Sequence, residues 1–343
     1  MFRNLIEPVS LVRTFQEHPP EGFRVLDLCS GLPAFSASFD LLTTVDRSVR
    51  RVIGALPFAK TWRRLLHART CFIGTTVSEY ALFPAHASPQ EVAERIFANA
   101  GADYSFVIVK DVPGDSVLVG EEAFAWSQEL AEACARLGFI MLEGQDLAYI
   151  PIDFASIEEF LARRSHARRK NLRRKLRSAS GVRVEEIPSG SAILTDAMIA
   201  RLYELYLNVY RQSEIHFDLL TRDFFRALFL NDGSGGIVFL HYADDALIGF
   251  NLCFRTETML IDKYIGFAYP QAHQHNLYTV SWFHNLEYAL AHGLRYYVAG
   301  WTDPDVKREL GAQFTLTRHL VYVRNSVLRA ILARSKSLFE NQR

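Results

Sequence analysis

This chain is poor in cysteine, has no long apolar run and carries no net charge. Four cysteines (Cys29, Cys71, Cys134, Cys253) are scattered through 343 residues with no C-x-x-C pair. Neither a disulfide framework nor a zinc site is therefore expected, and the thiols read as buried groups in a reducing compartment. No stretch approaches the roughly 20 apolar residues that cross a bilayer. The opening residues carry Arg3, Glu7 and Arg13 among short apolar pieces, unlike a secretory signal, so a cytoplasmic protein with no transmembrane segment is expected. Lysine plus arginine equals aspartate plus glutamate at 38 each, which removes any global bias toward nucleic acid or membrane. No Ser-His-Asp or Cys-His arrangement stands out, so no covalent nucleophile is indicated. His273-Gln274-His275 has no acidic or cysteine ligand nearby in sequence, and no metal site is expected.

What is present is apolar residues at 49%, enough for a sizeable core, and a length that suits two domains. The zero net charge hides an asymmetry. Residues 163–177 hold nine lysines and arginines and no acid, so the remainder carries a balancing acidic excess. Pro151 to Asp153 reads as a connection, which puts domains at 1–150 and 151–343, the second opening with a basic helix over 156–180. Ser156 is its expected N-cap, with Glu158 and Glu159 in the first turn.

The most informative stretch is 237–300. Three β-rich runs, Ile237 to His241, Leu247 to Phe254 and Met259 to Ile265, are joined by polar turns at Asp244-Asp245 and Thr256-Glu257, which is the hairpin signal. An apolar-periodic helix follows from Tyr278 to His292, stopped by Gly293, and then a buried-looking strand, Arg295 to Val298. Upstream, Ser88 and Glu91 form a capping box for a helix over 89–100, Phe35 to Arg51 reads as helical, and 104–110 reads as a buried strand. A weak internal echo aligns Gly138 with Gly293 and Glu132 with Glu287 at an offset of 155 residues.

Polar residues inside these apolar elements are the site candidates. Asp262 lies within MLIDKYIGF, and burying an acid is costly unless it is paired. It is either a general base or half of a structural ion pair. Strand alternation puts Tyr264 on its face and Lys263 on the other. Glu287 on the following helix is a second acid, either catalytic or solvated. His241 and Asn251 break apolar strands, where they line a substrate cleft or face water. Trp301 and Lys307 follow a strand end, where ligand loops gather in α/β sheets. Nine cations on one short segment repel one another. They point to water or meet an anion through Arg168, Arg169, Lys170, Arg173 and Arg174: tRNA phosphates, CoA phosphates or anionic lipid headgroups.

The basic segment SHARRKNLRRKLR, the meander through DKYIGF, the helix after Asn276 and the tail WTDPDVKRELGAQF together resemble the FemAB-like (BioF2-like) branch of the GNAT acyltransferases, the predicted peptidoglycan-biosynthesis N-acyltransferases. The resemblance covers roughly 150–325 and is loose before that. It implies an α/β (α+β) fold with twin GNAT-like domains, each a mixed, mostly antiparallel sheet flanked by helices, the first degenerate. It also implies transfer of an acyl or aminoacyl group from acyl-CoA, an acyl-carrier protein or aminoacyl-tRNA to a small-molecule or peptide amine. The donor would be a co-substrate, with no cofactor held tightly. Asp262, Tyr264 and Glu287 are then the catalytic candidates, and His241, Asn251, Lys263, Asn276, Tyr278, Trp301 and Lys307 the substrate-binding ones. One departure stands out: where ordinary GNAT enzymes have a glycine-rich pyrophosphate loop, this chain has Pro270 to Asn276 with no glycine. The other reading is a non-catalytic GNAT-like module that holds RNA or anionic membrane through its basic helix.

Overall fold

The computed structural model describes residues 2–29, 31–40, 67–213 and 216–334. In chain order its elements begin α1 (Val9–Glu17), β1 (Arg24–Cys29), β2 (Leu32–Asp40), β3 (His67–Ile73), α2 (Pro89–Ala100), β4 (Phe106–Pro113), α3 (Glu121–Arg136), β5 (Ile140–Glu143), β6 (Leu147–Pro151), α4 (Ile157–Ala162) and α5 (His166–Leu176). They continue with β7 (Arg183–Pro188), α6 (Asp196–Gln212), α7 (Arg222–Phe229), β8 (Gly236–Ala243), β9 (Ala246–Arg255), β10 (Met259–Phe267), α8 (Gln271–Gln274) and α9 (Leu277–Ala291). The last are β11 (Tyr296–Gly300), α10 (Pro304–Leu310), β12 (Gln313–Thr315), β13 (Thr317–Val323) and α11 (Ser326–Arg334).

Contacts divide the chain into two units, Met1–Ile6 with Pro19–Gln145 and Thr315–Arg343, and Glu7–His18 with Asp146–Phe314. Each holds one mixed, mostly antiparallel sheet. The first runs β1-β2-β3-β4-β13-β5 and the second β12-β6-β11-β10-β9-β8-β7. Both contain one parallel pair, β3 with β4 and β10 with β11, joined through α2 and α9 respectively. A parallel pair needs such a crossover, which a tight turn cannot supply.

Two segments depart from the expected division at residue 150. Strand β13, expected in the second domain, inserts between β4 and β5 of the first sheet. Strand β6, from the middle of the chain, sits beside β11 in the second sheet. Each sheet thus has a strand supplied by the other half of the sequence. The expected repeat is also displaced. The unit matching α9 and β11 is α2 and β4, which close the other parallel pair. The stretch around Gly138 leads instead to β5 at a sheet edge.

Local chemistry accounts for the elements that carry the site. Asp244 and Asp245 both adopt positive φ (47° and 60°), the geometry of a two-residue type I′ turn, whose twist matches the hairpin it joins. Ser88 and Glu91 form the full capping box at α2, and Gly293 stops α9 at φ 63°. Two helix expectations change. The basic helix is not continuous over 156–180. Ser165 accepts a hydrogen bond from the Arg168 backbone N–H and starts a new helix, so α4 and α5 are separate, because a serine side chain competes for the backbone as a cap. Residues 35–40 are strand, paired with β3, and the rest of the helix expected to Arg51 lies outside the described residues. Beneath the second sheet, Phe239, Leu260, Trp282, Phe283, Leu286 and Tyr297 pack α9 onto β8, β10 and β11.

Candidate active site

The ladder between β10 and β11 is short. Pairing runs from Met259↔Tyr296 to Ile261↔Val298, yet β10 continues to Phe267, paired there only with β9. The burial pattern changes at the same point. Met259, Leu260 and Ile261 are buried, residues 262–265 are partly accessible, and Gly266 and Phe267 are buried again. The strands therefore form a fork, and Asp262 is the first residue past its apex.

The Asp262 carboxylate is held by side chains from three elements. Asn251 on β9 donates through Nδ2 to Oδ1 (3.2 Å) and Oδ2 (3.1 Å). Asn285 on α9 donates to Oδ2 (3.0 Å) and Tyr297 on β11 donates its hydroxyl to Oδ2 (2.9 Å). Asn285 also donates to the Tyr297 hydroxyl oxygen (3.2 Å). Among the described residues, Oδ1 is otherwise approached by Cys253 Sγ at 3.7 Å. The carboxylate is thus lopsided: Oδ2 is saturated, and Oδ1 is left with the capacity to take a proton. Burial pushes the Asp262 pKa up, and Asn251, Tyr297, the Lys307 ammonium and Cys253 pull in the other direction without cancelling it. The residue keeps some solvent contact while protein atoms crowd its carboxyl group, so burial remains the leading cause.

Lys307 is 4% exposed. The spacing from Lys307 to Gly311, four residues on, has a structural cause. Lys307 sits in the last turn of α10, and Gly311 caps that helix at φ 101°, with a backbone that lies under Arg164 and Phe160. A Cβ there would come within 2.6 Å of Arg164 Nη2 and 2.8 Å of Phe160 Cζ. At Gly300, a Cβ would lie 3.9 Å from both the Asp262 carbonyl oxygen and Lys307 Nζ, so the end of β11, Asp262 and the lysine converge.

The remaining candidates divide. His241 joins the cluster, its Nε2 3.0 Å from Asn251 Oδ1. Both residues are buried, at 0% and 1% exposure, so neither lines an open cleft. Tyr264 does not share a face with Asp262. A β-bulge between them pairs Asp262 with Cys253 and Tyr264 with Leu252, one residue is inserted, and alternation breaks. Tyr264 packs its ring on Phe224 and Phe225 of α7, and Lys263 pairs with Glu7 at 3.8 Å, both side chains buried. Glu287 lies two residues from Asn285, about 200° around the helix, and is exposed. Burial of its carboxyl group still raises its pKa. Asn276 supplies the left-handed backbone that opens α9 (φ 49°). Tyr278 has a raised pKa, from burial first and then from the charges of Asp303 and Asp262. Trp301 is partly buried just after β11. On α5, Arg168, Lys170, Arg173 and Arg174 are exposed and Arg169 is partly so. Of these, Arg173 is ion-paired, with Glu158.

Sequence reasoning missed Asn285 and Tyr297. Tyrosine in a buried strand reads as one more apolar residue. The one available signal was an asparagine on the buried face of α9, between Trp282 and Leu286. Among the described residues, no group of three or more histidine, cysteine, aspartate or glutamate side chains is placed to hold a metal, and no helix is long and apolar enough to cross a membrane.

Comparison with known proteins fits this geometry. The sequence profile of the FemAB-like family, described as peptidoglycan biosynthesis/recognition, matches residues 115–336. No curated protein matches the chain. Among solved structures, the C-terminal domain of a putative lysylphosphatidylglycerol synthetase from Agrobacterium fabrum is similar at TM-score 0.56 and 11% identity, over 96% of this chain and 90% of that one. L-PGS from Bacillus licheniformis is similar at TM-score 0.55 and 10% identity, over 99% of each chain. FemX is similar at TM-score 0.51 and 11% identity, over 95% and 98%. At such identities the likeness is one of fold; family and fold together support a transferase. With well over half of its length matched by the profile, the chain belongs to the FemAB-like family.

Proposed function

We propose that the chain is an N-acyltransferase that moves an acyl or aminoacyl group from an activated donor onto an amine by direct attack. The observation that carries this reading is the fork: β10 loses its parallel partner after Ile261 and becomes partly accessible over 262–265, starting at Asp262, with the buried Lys307 of α10 close by. Amide formation requires that the amine lose a proton, that the carbonyl oxygen be stabilised as charge develops, and that the reactants be held close. Asp262, through Oδ1, takes the amine proton, a task its raised pKa suits; as the tetrahedral intermediate collapses, the donor's C–S or C–O bond breaks and the thiol or ribose hydroxyl leaves carrying that proton. Lys307 faces the developing oxyanion. An extended donor would lie along β10 past Ile261, where the ladder to β11 has ended. Tyr278, Asn276 and Trp301 are assigned to substrate contacts and the cations of α5 to donor phosphates.

Three donor classes suit this site: acyl-CoA, an acyl-carrier protein and aminoacyl-tRNA. The acceptor is a peptide or small-molecule amine, in peptidoglycan or in a specialised metabolite, and the setting is cytoplasmic. Purified protein incubated with each donor class and a panel of amines, followed by mass spectrometry, tests the reading. A mass increment on the amine, lost in Asp262→Asn, is the expected result. No increment with any donor class would overturn it.

A second reading, a non-catalytic module that binds RNA or anionic membrane, is favoured by the exposed cations of α5. Salt-sensitive binding without transfer would select this reading.

A further inference from the structure

A line of buried polar side chains crosses the second sheet on the face covered by α9: His241 on β8, Asn251 on β9 and Asp262 on β10, met by Tyr297 on β11 and Asn285 from above. We propose that His241 is a positioning residue: through Asn251 it fixes the orientation of the Asp262 carboxylate, and its imidazole meets no substrate.

The hydrogen bonds dictate this role. Asn251 has one oxygen and one NH2 group, and which faces Asp262 is decided by its neighbours. With Nδ2 toward Asp262, the amide donates to both carboxylate oxygens, and Oδ1 accepts from His241. That requires the proton on His241 Nε2. His241 Nδ1 is buried with no partner, so it is best left as a bare lone pair, because an N–H there would be buried without an acceptor. The flipped amide fails at both ends: Oδ1 would face a carboxylate, and Nδ2 would need a lone pair on Nε2, forcing the proton onto Nδ1. One tautomer and one amide orientation satisfy the chain, and the histidine selects them. An amide between imidazole and carboxylate passes orientation and blocks simple proton transfer, so His241 is not the base.

Other ionisable groups around the line are His284 on α9, with its ring centroid 6.4 Å from that of His241, and Cys253, Tyr297 and Lys307 around Asp262. His284 Nε2 is also without a partner, so it offers His241 Nδ1 no evident acceptor. Phe239 packs edge-on against His284 and fills the space beside it.

The meaning for catalysis rests on the transfer reading above, whereas the positioning itself is testable without any substrate. The carboxyl titration of Asp262, followed by difference infrared spectroscopy and assigned with Asp262→Asn, is compared in wild type, His241→Gln and His241→Asn. Glutamine places its amide N–H where Nε2 was, and asparagine places its own where Nδ1 was. In folded His241→Asn, Asn251 is free to turn its oxygen to the carboxylate, and the midpoint rises by about one pH unit, a tenfold change in proton affinity. His241→Gln restores the wild-type midpoint. Equal midpoints in folded wild type and His241→Asn, or an equal rise in both variants, would overturn the proposal. If neither variant folds, 15N spectra of the wild-type imidazoles decide: the Nε2–H tautomer at His241 supports it and the Nδ1–H tautomer defeats it. Where transfer is detected, His241→Asn lowers kcat and leaves KM near wild type. If no donor transfers, the titration still stands, and only the catalytic meaning falls.

Discussion

The two parallel pairs, β3 with β4 and β10 with β11, are the same device put to different ends. In the first unit β3 stops at Ile73, where its pairing with Val109 stops. The chain then folds 75–83 back into the interior, almost all of it buried, with Thr75 and Ser78 bonded to each other and the Ala81 N–H donated to the Asp111 carbonyl. The space beside β4 is filled by the protein's own backbone. In the second unit β10 runs six residues past its last pair with β11, and the first four of them, 262–265, are partly accessible, with Asp262 at the start. A filled fork is structure, whereas a partly accessible one that starts at an acid whose pKa burial raises is the kind of local conflict that makes a site a candidate.

That contrast can be broken most directly by exchanging the acid in each fork. Asp262→Asn removes the proposed proton acceptor and the charge beside Lys307, and on that reading transfer should fall by about 10²–10³-fold. Asp111→Asn, in the closed fork, should leave transfer within about threefold in protein shown by thermal melting to be folded. Asp111 pairs with Lys110 and lies near His319, so its effect belongs to stability. Equal losses would show that the first fork takes part in the chemistry and that the comparison is wrong.

The acid limb of stability sharpens the contrast next. Burial holds His241 to a pKa of about 4 against the usual 6.5. Because the folded value is the lower one, its contribution is complete above the unfolded pKa and is lost as pH falls through the window from about 6.5 to about 4. The loss is about 3 kcal/mol at most. Asp262 works in the opposite sense. Its folded pKa is raised, so its contribution is present below the ordinary carboxylate value and is lost as pH rises through the folded value. Urea melts between pH 4 and pH 7 should therefore show a steeper acid loss in Asp262→Asn, where the compensating acid is gone, than in wild type. A shallower loss would mean that the folded pKa of Asp262 is lowered, not raised.

Most of the second sheet is legible in the sequence because its signals are local. Asp-Asp between two apolar runs can satisfy a type I′ turn, Ser88 and Glu91 are a cap at fixed spacing, and a glycine ends α9. The site was legible in part for the same reason: Asp262, Asn251 and His241 are polar residues in apolar strands, and the cost of burying them flags them. What was not legible depends on register or distance. The bulge at Lys263 has no compositional mark, yet it carries Tyr264 to the face of α7. The exchange of β6 and β13 between sheets joins residues far apart in sequence, which no local window senses. Nor does sequence separate a histidine that lines a cleft from one enclosed behind an asparagine.

A smaller effect concerns how each unit spends its left-handed glycines. Gly311, at φ 101°, has no room for a side chain, whereas at Gly138, φ 89°, the nearest atom to an added Cβ is 3.7 Å away. Gly138→Ala should cost about 1 kcal/mol of backbone strain alone. Gly311→Ala adds a clash that Arg164 must move to relieve, about 2 kcal/mol in all. It also disturbs α10, which carries Lys307, so it should depress transfer as well. Thermal melts of both variants with transfer assays on each would separate these effects. Gly138→Ala matching Gly311→Ala in both would mean that the Lys307–Gly311 spacing has no special tie to the fork.

The smallest effect on stability is expected at α5, where the second unit carries cations unlike anything described in the first. Arg173 and Glu158 form an ion pair with both side chains about half exposed or more (48% and 67%), and such pairs contribute under about 0.5 kcal/mol because water and salt screen them. Arg173→Ala should therefore leave the melting temperature almost unchanged. If the helix holds donor phosphates, the same substitution should weaken donor binding and lower the salt dependence of that binding by about one phosphate contact. A variant that melts several degrees lower with unaltered binding would make α5 a structural brace. The second unit would then be distinguished from the first by the fork alone.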